Sequence, residues 1–187
     1  LVFYPKSPRS VSLEQARDIA AVVPPFVTLV ALFVNESPEM ICRVLREVPV
    51  GLIQFHGDES AAFCTQFQRP WIKALRVRPE MDVAAECGRY EGASGVLLDA
   101  FQEGVPGGTG KTFDWRLAQV SLPLPWVLAG GLNPENVEQA VKRLEPVAVD
   151  VSGGVEVSPG IKCPRKINEF VAGVRSADLQ LDGSENE

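Results

Sequence analysis

Short apolar runs alternate along the chain with longer stretches in which apolar positions recur every three or four residues. The runs are LVFY at 1–4, FVTLVALFV at 26–34, GLIQF at 51–55, WIKALRV at 71–77, GVLLD at 95–99, WVLAG at 126–130 and VAVDV at 147–151. Each is apolar almost throughout, the pattern of a strand buried on both faces. The stretches between them carry helix-start signals. Ser12 and Gln15 are spaced as a capping box before Leu13, Ala16, Ile19 and Ala20. Ser37 and Asn133 each precede a proline, the arrangement of an N-cap and a first helical residue. Helical spacing follows at Ile41, Val44, Leu45 and Val48, and again at Val137, Ala140, Val141 and Leu144. Ile167, Phe170, Val171 and Val174 repeat it near the C-terminus.

Buried strands that each lead into a helix predict an α/β fold with a parallel sheet. An open doubly wound sheet would carry a G-x-G-x-x-G after its first strand, and none is present. Polar or glycine residues instead follow strand after strand, which favours a closed (β/α)8 TIM barrel. Seven runs leave such a barrel one strand short. Because LVFY opens the chain without a polar lead-in, the expectation is that strands 2 to 8 are represented and that the first β/α unit belongs before residue 1. Residues 1–175 are expected to form one domain, and the polar, acidic tail SADLQLDGSENE (176–187) to be disordered.

Composition narrows the functional classes. The 187 residues are 45% hydrophobic and 22% charged, the balance of a globular domain. A net charge of −6 without a Lys/Arg cluster argues against nucleic acid as a partner, and no apolar run is long enough to span a membrane. Any anionic ligand must therefore be held locally. The scattered Cys42, Cys64, Cys87 and Cys163 show no zinc or redox spacing, so a reducing, cytoplasmic setting is expected and a metal site is not.

Barrel active sites lie at the C-terminal ends of the strands. The polar residues there are Lys6 and Arg9 after the first run, His56 after the third, Asp99 ending the fifth, and Asp150 at the seventh. A carboxylate at the rim of a dry barrel can hold a proton and donate it; the alternative for Asp99 is a turn residue bonded to its own loop. The loop that follows, AFQEGVPGGTGKTFDW, is long enough to be a binding loop. Its glycines let backbone N–H groups approach an anion, although it lacks Walker A spacing. Gly130-Gly131 and Ser152-Gly153-Gly154 end the last two strands, where barrel enzymes commonly bind phosphate. Arg9 can make a two-pronged contact with a carboxylate or phosphate, or sit solvated at the surface. His56 is the one histidine and fits a packed role as well as a catalytic one. Asp150, inside an apolar run, needs a partner or a ligand if it points inward.

Together LVFYPKSPRSV, GLIQFHGDE, LLDAFQEGVPGGTGKTFDW, LAGGLNPENV and AVDVSGGVEVSPGIK resemble the phosphoribosylanthranilate isomerases of tryptophan biosynthesis, in order from residue 1 to about 175. The resemblance implies an eight-stranded barrel, monomeric or homodimeric, that needs no metal or cofactor. It implies an Amadori rearrangement of a small phosphorylated substrate, an N-linked aminoaldose phosphate, to its aminoketose. On this resemblance Asp99 is the general acid that opens the ribose ring, and Arg9 lies near the anthranilate carboxylate. His56 and Asp150 line the substrate site. Gly107, Gly108, Gly110, Gly130, Gly131, Ser152, Gly153 and Gly154 surround the phosphate. The family's general base, a cysteine in a K-x-C-G motif on the first strand, is absent from this sequence, and Cys163 stands where an Asp is common. Two alternatives accompany this reading. One is a related phosphate-binding barrel such as indole-glycerol-phosphate synthase, with Lys73 as the acid; the other is a truncated barrel that only binds phosphate ligands.

Overall fold

The computed structural model describes residues 1–100, 114–119 and 121–184. Each of the seven apolar runs contributes a strand: β1 Val2–Phe3, β2 Val30–Phe33, β3 Leu52–Phe55, β4 Trp71–Val77, β5 Gly95–Ala100, β6 Trp126–Leu128 and β7 Ala148–Val149. They form one sheet in sequence order, every neighbouring pair parallel. Helices α1 (Leu13–Val22), α2 (Pro38–Glu47), α3 (Ala61–Thr65), α4 (Val83–Gly88) and α5 (Val137–Leu144) lie in the crossovers, and α6 (Pro164–Ser184) ends the described chain. A 3-10 turn over Trp115–Ala118 lies between β5 and β6. Among the described residues no helix is long and apolar enough to cross a membrane.

Strand alternation divides the side chains into two layers. Paired across β1 to β6, the row Phe3, Phe33, Phe55, Lys73, Val96 and Trp126 belongs to the face turned toward the helices. The main apolar core lies there, with Ala16, Ile41, Val44, Cys64, Cys87 and Val137 supplied by helices. The other face holds a much smaller cluster of Ala74, Leu97 and Ala129, with Ile72 and Val127 beside it. Beyond that cluster, toward the C-terminal strand ends, Val2 of β1 and the residues that follow β7, Asp150 and Val151, contribute to the wall of one cavity, so the sheet curls on itself.

The helix starts follow their expected chemistry with one displacement. Ser12 Oγ accepts from the Gln15 amide at 3.1 Å while Gln15 Oε1 accepts from the Ser12 amide at 2.8 Å, completing the capping box. Ser37 Oγ accepts from the Met40 amide ahead of Pro38. Asn133 instead organises a preceding turn, its Oδ1 accepting from the Glu135 and Asn136 amides, and the helix proper starts at Val137.

Two expectations are corrected and one element is added. The run at 26–34 becomes strand only from Val30: Phe26, after two prolines, has φ 69° and is fully exposed in a turn. A hairpin of β8 (Glu156–Ser158) and β9 (Ile161–Lys162) turns at Pro159-Gly160, with Gly160 at φ 85°. The tail does not fray at 176, because α6 runs on through Ser184. Ala177 and Leu181 continue the apolar spacing of Phe170 and Val174 onto the core, while Ser176 and Gln180 both bond Glu138 of α5.

Candidate active site

The cavity at the C-terminal strand ends has a volume of about 290 Å3, at the lower edge of the range for small-molecule sites, roughly 300–1,000 Å3. Its apolar floor comes from Val2, Val30, Leu32 and Val34, all on the inward-facing register of β1 and β2. The same alternation turns Gln54 and His56 inward from β3 and Asp99 from β5. Asp150, which follows β7, faces them from the far end of the sheet. Residues on different strands, 43 to 96 positions apart in sequence, thus meet because each lies at or near the C-terminal end of its strand.

Gln54, His56 and Asp99 form a buried chain of polar contacts. Gln54 Nε2 lies 3.0 Å from His56 Nδ1, and His56 Nε2 lies 3.2 Å from Asp99 Oδ2. An amide nitrogen only donates, so with it facing Nδ1 the ring accepts there and carries its proton on Nε2, directed at Asp99. The other carboxylate oxygen, Oδ1, accepts from the Ala100 amide at 2.8 Å, so Asp99 is also tied to its own backbone. Gly130 packs against this corner with φ 81°. A Cβ there would stand 2.5 Å from the Ala100 nitrogen and 2.9 Å from Asp99 Oδ1.

Arg9 reaches the cavity from the loop after β1 and is held by Glu156 of β8. Its Nε and Nη2 donate to the two carboxylate oxygens at 2.8 and 2.7 Å, a two-pronged pair. Lys162 adds a third donor to Glu156 at 2.8 Å, and these bonds, led by that from Arg9, hold the Glu156 carboxyl down at about 2. Asp150 behaves in the opposite sense. It is open to solvent within the cavity, but surrounding protein desolvates its carboxyl and Asp99 adds like charge, so its pKa is raised. The site therefore pairs a cationic corner at Arg9 with an acidic side at Asp99 and Asp150.

A model of the N-(5'-phosphoribosyl)anthranilate (PRA) isomerase family matches residues 1–173. The chain belongs to this family. PRA isomerase of Azotobacter vinelandii is 56% identical over 177 residues, covering 95% of this chain and 86% of that protein. PRA isomerase of Stutzerimonas stutzeri is 58% identical over 176 residues, covering 94% and 85%. The crystal structure of PRA isomerase from Thermotoga maritima superposes with a TM-score of 0.84 at 40% identity, covering 94% of this chain and 86% of that one. A PRA isomerase crystallised with reduced 1-(o-carboxyphenylamino)-1-deoxyribulose 5-phosphate gives a TM-score of 0.80 at 39% identity, with the same coverage. The barrel class expected from the strand pattern is thus that of the PRA isomerases.

Within this member of the family the expected site residues divide cleanly. Arg9, His56, Asp99, Gly130, Gly131, Asp150, Ser152, Gly153 and Gly154 all line the one cavity. Gly107, Gly108 and Gly110 lie outside the described residues. None of the four cysteines lines the cavity: Cys64 and Cys87 are buried residues of α3 and α4, Cys42 is exposed on α2, and Cys163 precedes α6. Lys73, the acid of the alternative reading, points the wrong way. It belongs to the outward row of β4, among Phe55 and Val96, and its ammonium lies in the helix-facing layer. Two residues of the site were not singled out from the sequence, Gln54 and Glu156. Gln54 was legible as the polar residue two before His56 in an apolar strand, which places both on one face. Glu156 stands between Val155 and Val157 with nothing local to mark its partner.

Proposed function

We infer that this protein catalyses the Amadori rearrangement of N-(5'-phosphoribosyl)anthranilate to 1-(o-carboxyphenylamino)-1-deoxyribulose 5-phosphate. The observation that carries the reading is the Asp99–His56–Gln54 chain at one wall of a cavity whose opposite parts offer a fixed arginine and a glycine-lined loop. Membership of the family supports the same substrate.

Asp99 acts as the general acid. Its proton passes to the ribose ring oxygen, the C1′–O bond breaks, and the anthranilate nitrogen takes up the positive charge as an iminium. The carboxylate left behind receives the Nε2–H of His56, and Gln54 keeps the imidazole in the tautomer that can donate. Loss of the C2′ proton then gives the enolamine, which tautomerises to the ketone. The base for that step stands across the sugar from Asp99, and the four cysteines of this chain do not supply it. Arg9 faces the anthranilate carboxylate, and Asp150 lines the sugar. The backbones of Gly130, Gly131, Ser152, Gly153 and Gly154 surround the phosphate, where the missing Cβ atoms of the glycines allow close approach. The substrate and product are small phosphorylated molecules, and the reaction's electrons stay within one of them.

Asp99→Asn keeps the shape and the Ala100 hydrogen bond but has no proton to give. In the full-length protein, kcat for the phosphoribosylanthranilate substrate is expected to fall by roughly 100-fold or more, the range of general-acid contributions, with KM changed little. Turnover at the wild-type rate by a folded Asp99→Asn variant would overturn the acid assignment.

A further inference from the structure

The row Phe3, Phe33, Phe55, Lys73, Val96, Trp126 places one ammonium among apolar side chains beneath the helices. Lys73 is 2% exposed, lies 5.7 Å from the ring centre of Tyr90, and meets Glu59, itself buried, at 3.2 Å. Burying two ions is costly, and an apolar pair of similar volume often serves stability as well or better. Stability alone therefore does not account for this pair.

Its hydrogen bonds show what it holds. Lys73 Nζ donates to the Gly57 carbonyl at 2.6 Å and the Phe55 carbonyl at 3.4 Å, which are the peptide oxygens on either side of His56. Glu59 Oε2 accepts from the Gly57 amide at 2.9 Å, and its Oε1 accepts from the Asn35 amide at 2.7 Å, past the end of β2. The backbone of His56 is thus gripped from the outer face of the sheet and anchored to both neighbouring strands, while its ring projects through to Asp99 on the inner face.

We propose that Lys73 and Glu59 are a positioning pair that fixes the backbone at His56 so that its imidazole meets Asp99 in the isomerase reaction. Neither touches the cavity that holds substrate; both act through His56. The inference rests on the acid-side reading above and adds the residues that set its geometry.

The test is a mutant cycle in the full-length protein. Lys73→Met with Glu59→Leu removes both charges at similar volume but leaves the Gly57 and Asn35 amides without their acceptor; it is expected to fold with a modestly lowered melting temperature and to lose kcat about tenfold with KM within about twofold. His56→Ala is expected to lower kcat in the wild type and to have little further effect in the double variant. Rescue is expected in Glu59→Gln, which keeps the shape and an acceptor, with kcat between the two; this variant also carries the test if the double variant does not fold. The ring nitrogens of His56 supply a second readout by NMR: one Nε2–H tautomer in the wild type, a mixture in the double variant. A folded double variant with wild-type kcat, a single tautomer and the full His56→Ala effect would overturn the positioning role while leaving the isomerase reading intact. If instead Asp99→Asn and His56→Ala both turn over at the wild-type rate, the acid-side reading itself falls, and the positioning role with it.

Discussion

Glu156 takes two hydrogen bonds from Arg9 and one from Lys162, and its carboxyl lies at about 2 against an ordinary 4.5. A carboxyl lowered on folding contributes stability that is fully present above the unfolded value and is lost as pH falls through the folded one. The window is therefore from about 4.5 down to about 2. Two side chains, rather than the body of the protein, cover this carboxylate, so solvent screens the pair and its contribution is modest, about 1 kcal/mol. Glu156→Gln is expected to melt lower than wild type near neutral pH, with the two melting curves converging as the pH is lowered through that window. The same variant frees Arg9 to turn, so KM for a substrate bearing a carboxylate should rise more than kcat falls. At this scale Arg9, His56, Asp99 and Asp150 were legible because each follows or ends an apolar run. The partner of Arg9 was not, since 147 positions separate it from Glu156 and no local pattern links them.

Strand ends are where backbone geometry and chemistry meet in this fold. Gly130, just past β6, holds a φ that non-glycine residues adopt at a cost, and its missing Cβ is what allows the Ala100 amide to sit where it bonds Asp99. Gly130→Ala is expected to cost about 1–3 kcal/mol in denaturation experiments. If Asp99 is the acid as proposed, the effect on kcat should be larger than that loss implies, because the collision pushes on its carboxylate. Gly88 at the end of α4 provides the contrast: a Cβ there meets nothing within 4 Å, so Gly88→Ala should be neutral or slightly stabilising, with activity unchanged. Element existence was well marked by apolar runs and caps, as at Ser12 and Ser37. The boundaries were not: only tertiary packing carries α6 past Arg175, through Ala177 and Leu181. The β8–β9 hairpin had a signal in Pro159-Gly160, but a turn dipeptide does not say that two short flanking segments will pair.

For the whole molecule, the cysteines report the integrity of the two-layer packing. Cys42 is exposed and Cys163 partly so, whereas Cys64 and Cys87 lie in the core. Burial, and then the charge of Glu59, push the Cys64 thiol up to about 12. In a thiol titration of the native protein Cys42 should react fast and Cys163 more slowly, while Cys64 and Cys87 should wait for global unfolding. Early reaction of Cys64 would mean that the layer holding Lys73 and Glu59 opens on its own. What the sequence by itself determined is the repeat: apolar runs long enough to be buried on both faces, amphipathic helices between them, and polar residues at the ends of the runs. These are local properties, set by side-chain period and capping, and they place the chemistry at one end of a parallel sheet. Only the tertiary structure decided which way each side chain points and what it meets. Curling the sheet brings β7 round to β1, so that Asp150 faces Arg9's corner, and strand register sends His56 inward to Asp99 while Lys73, its neighbour on β4, goes outward to Glu59. Contacts between residues far apart in the chain depend on register and curvature summed over the whole sheet, which no short stretch of sequence contains.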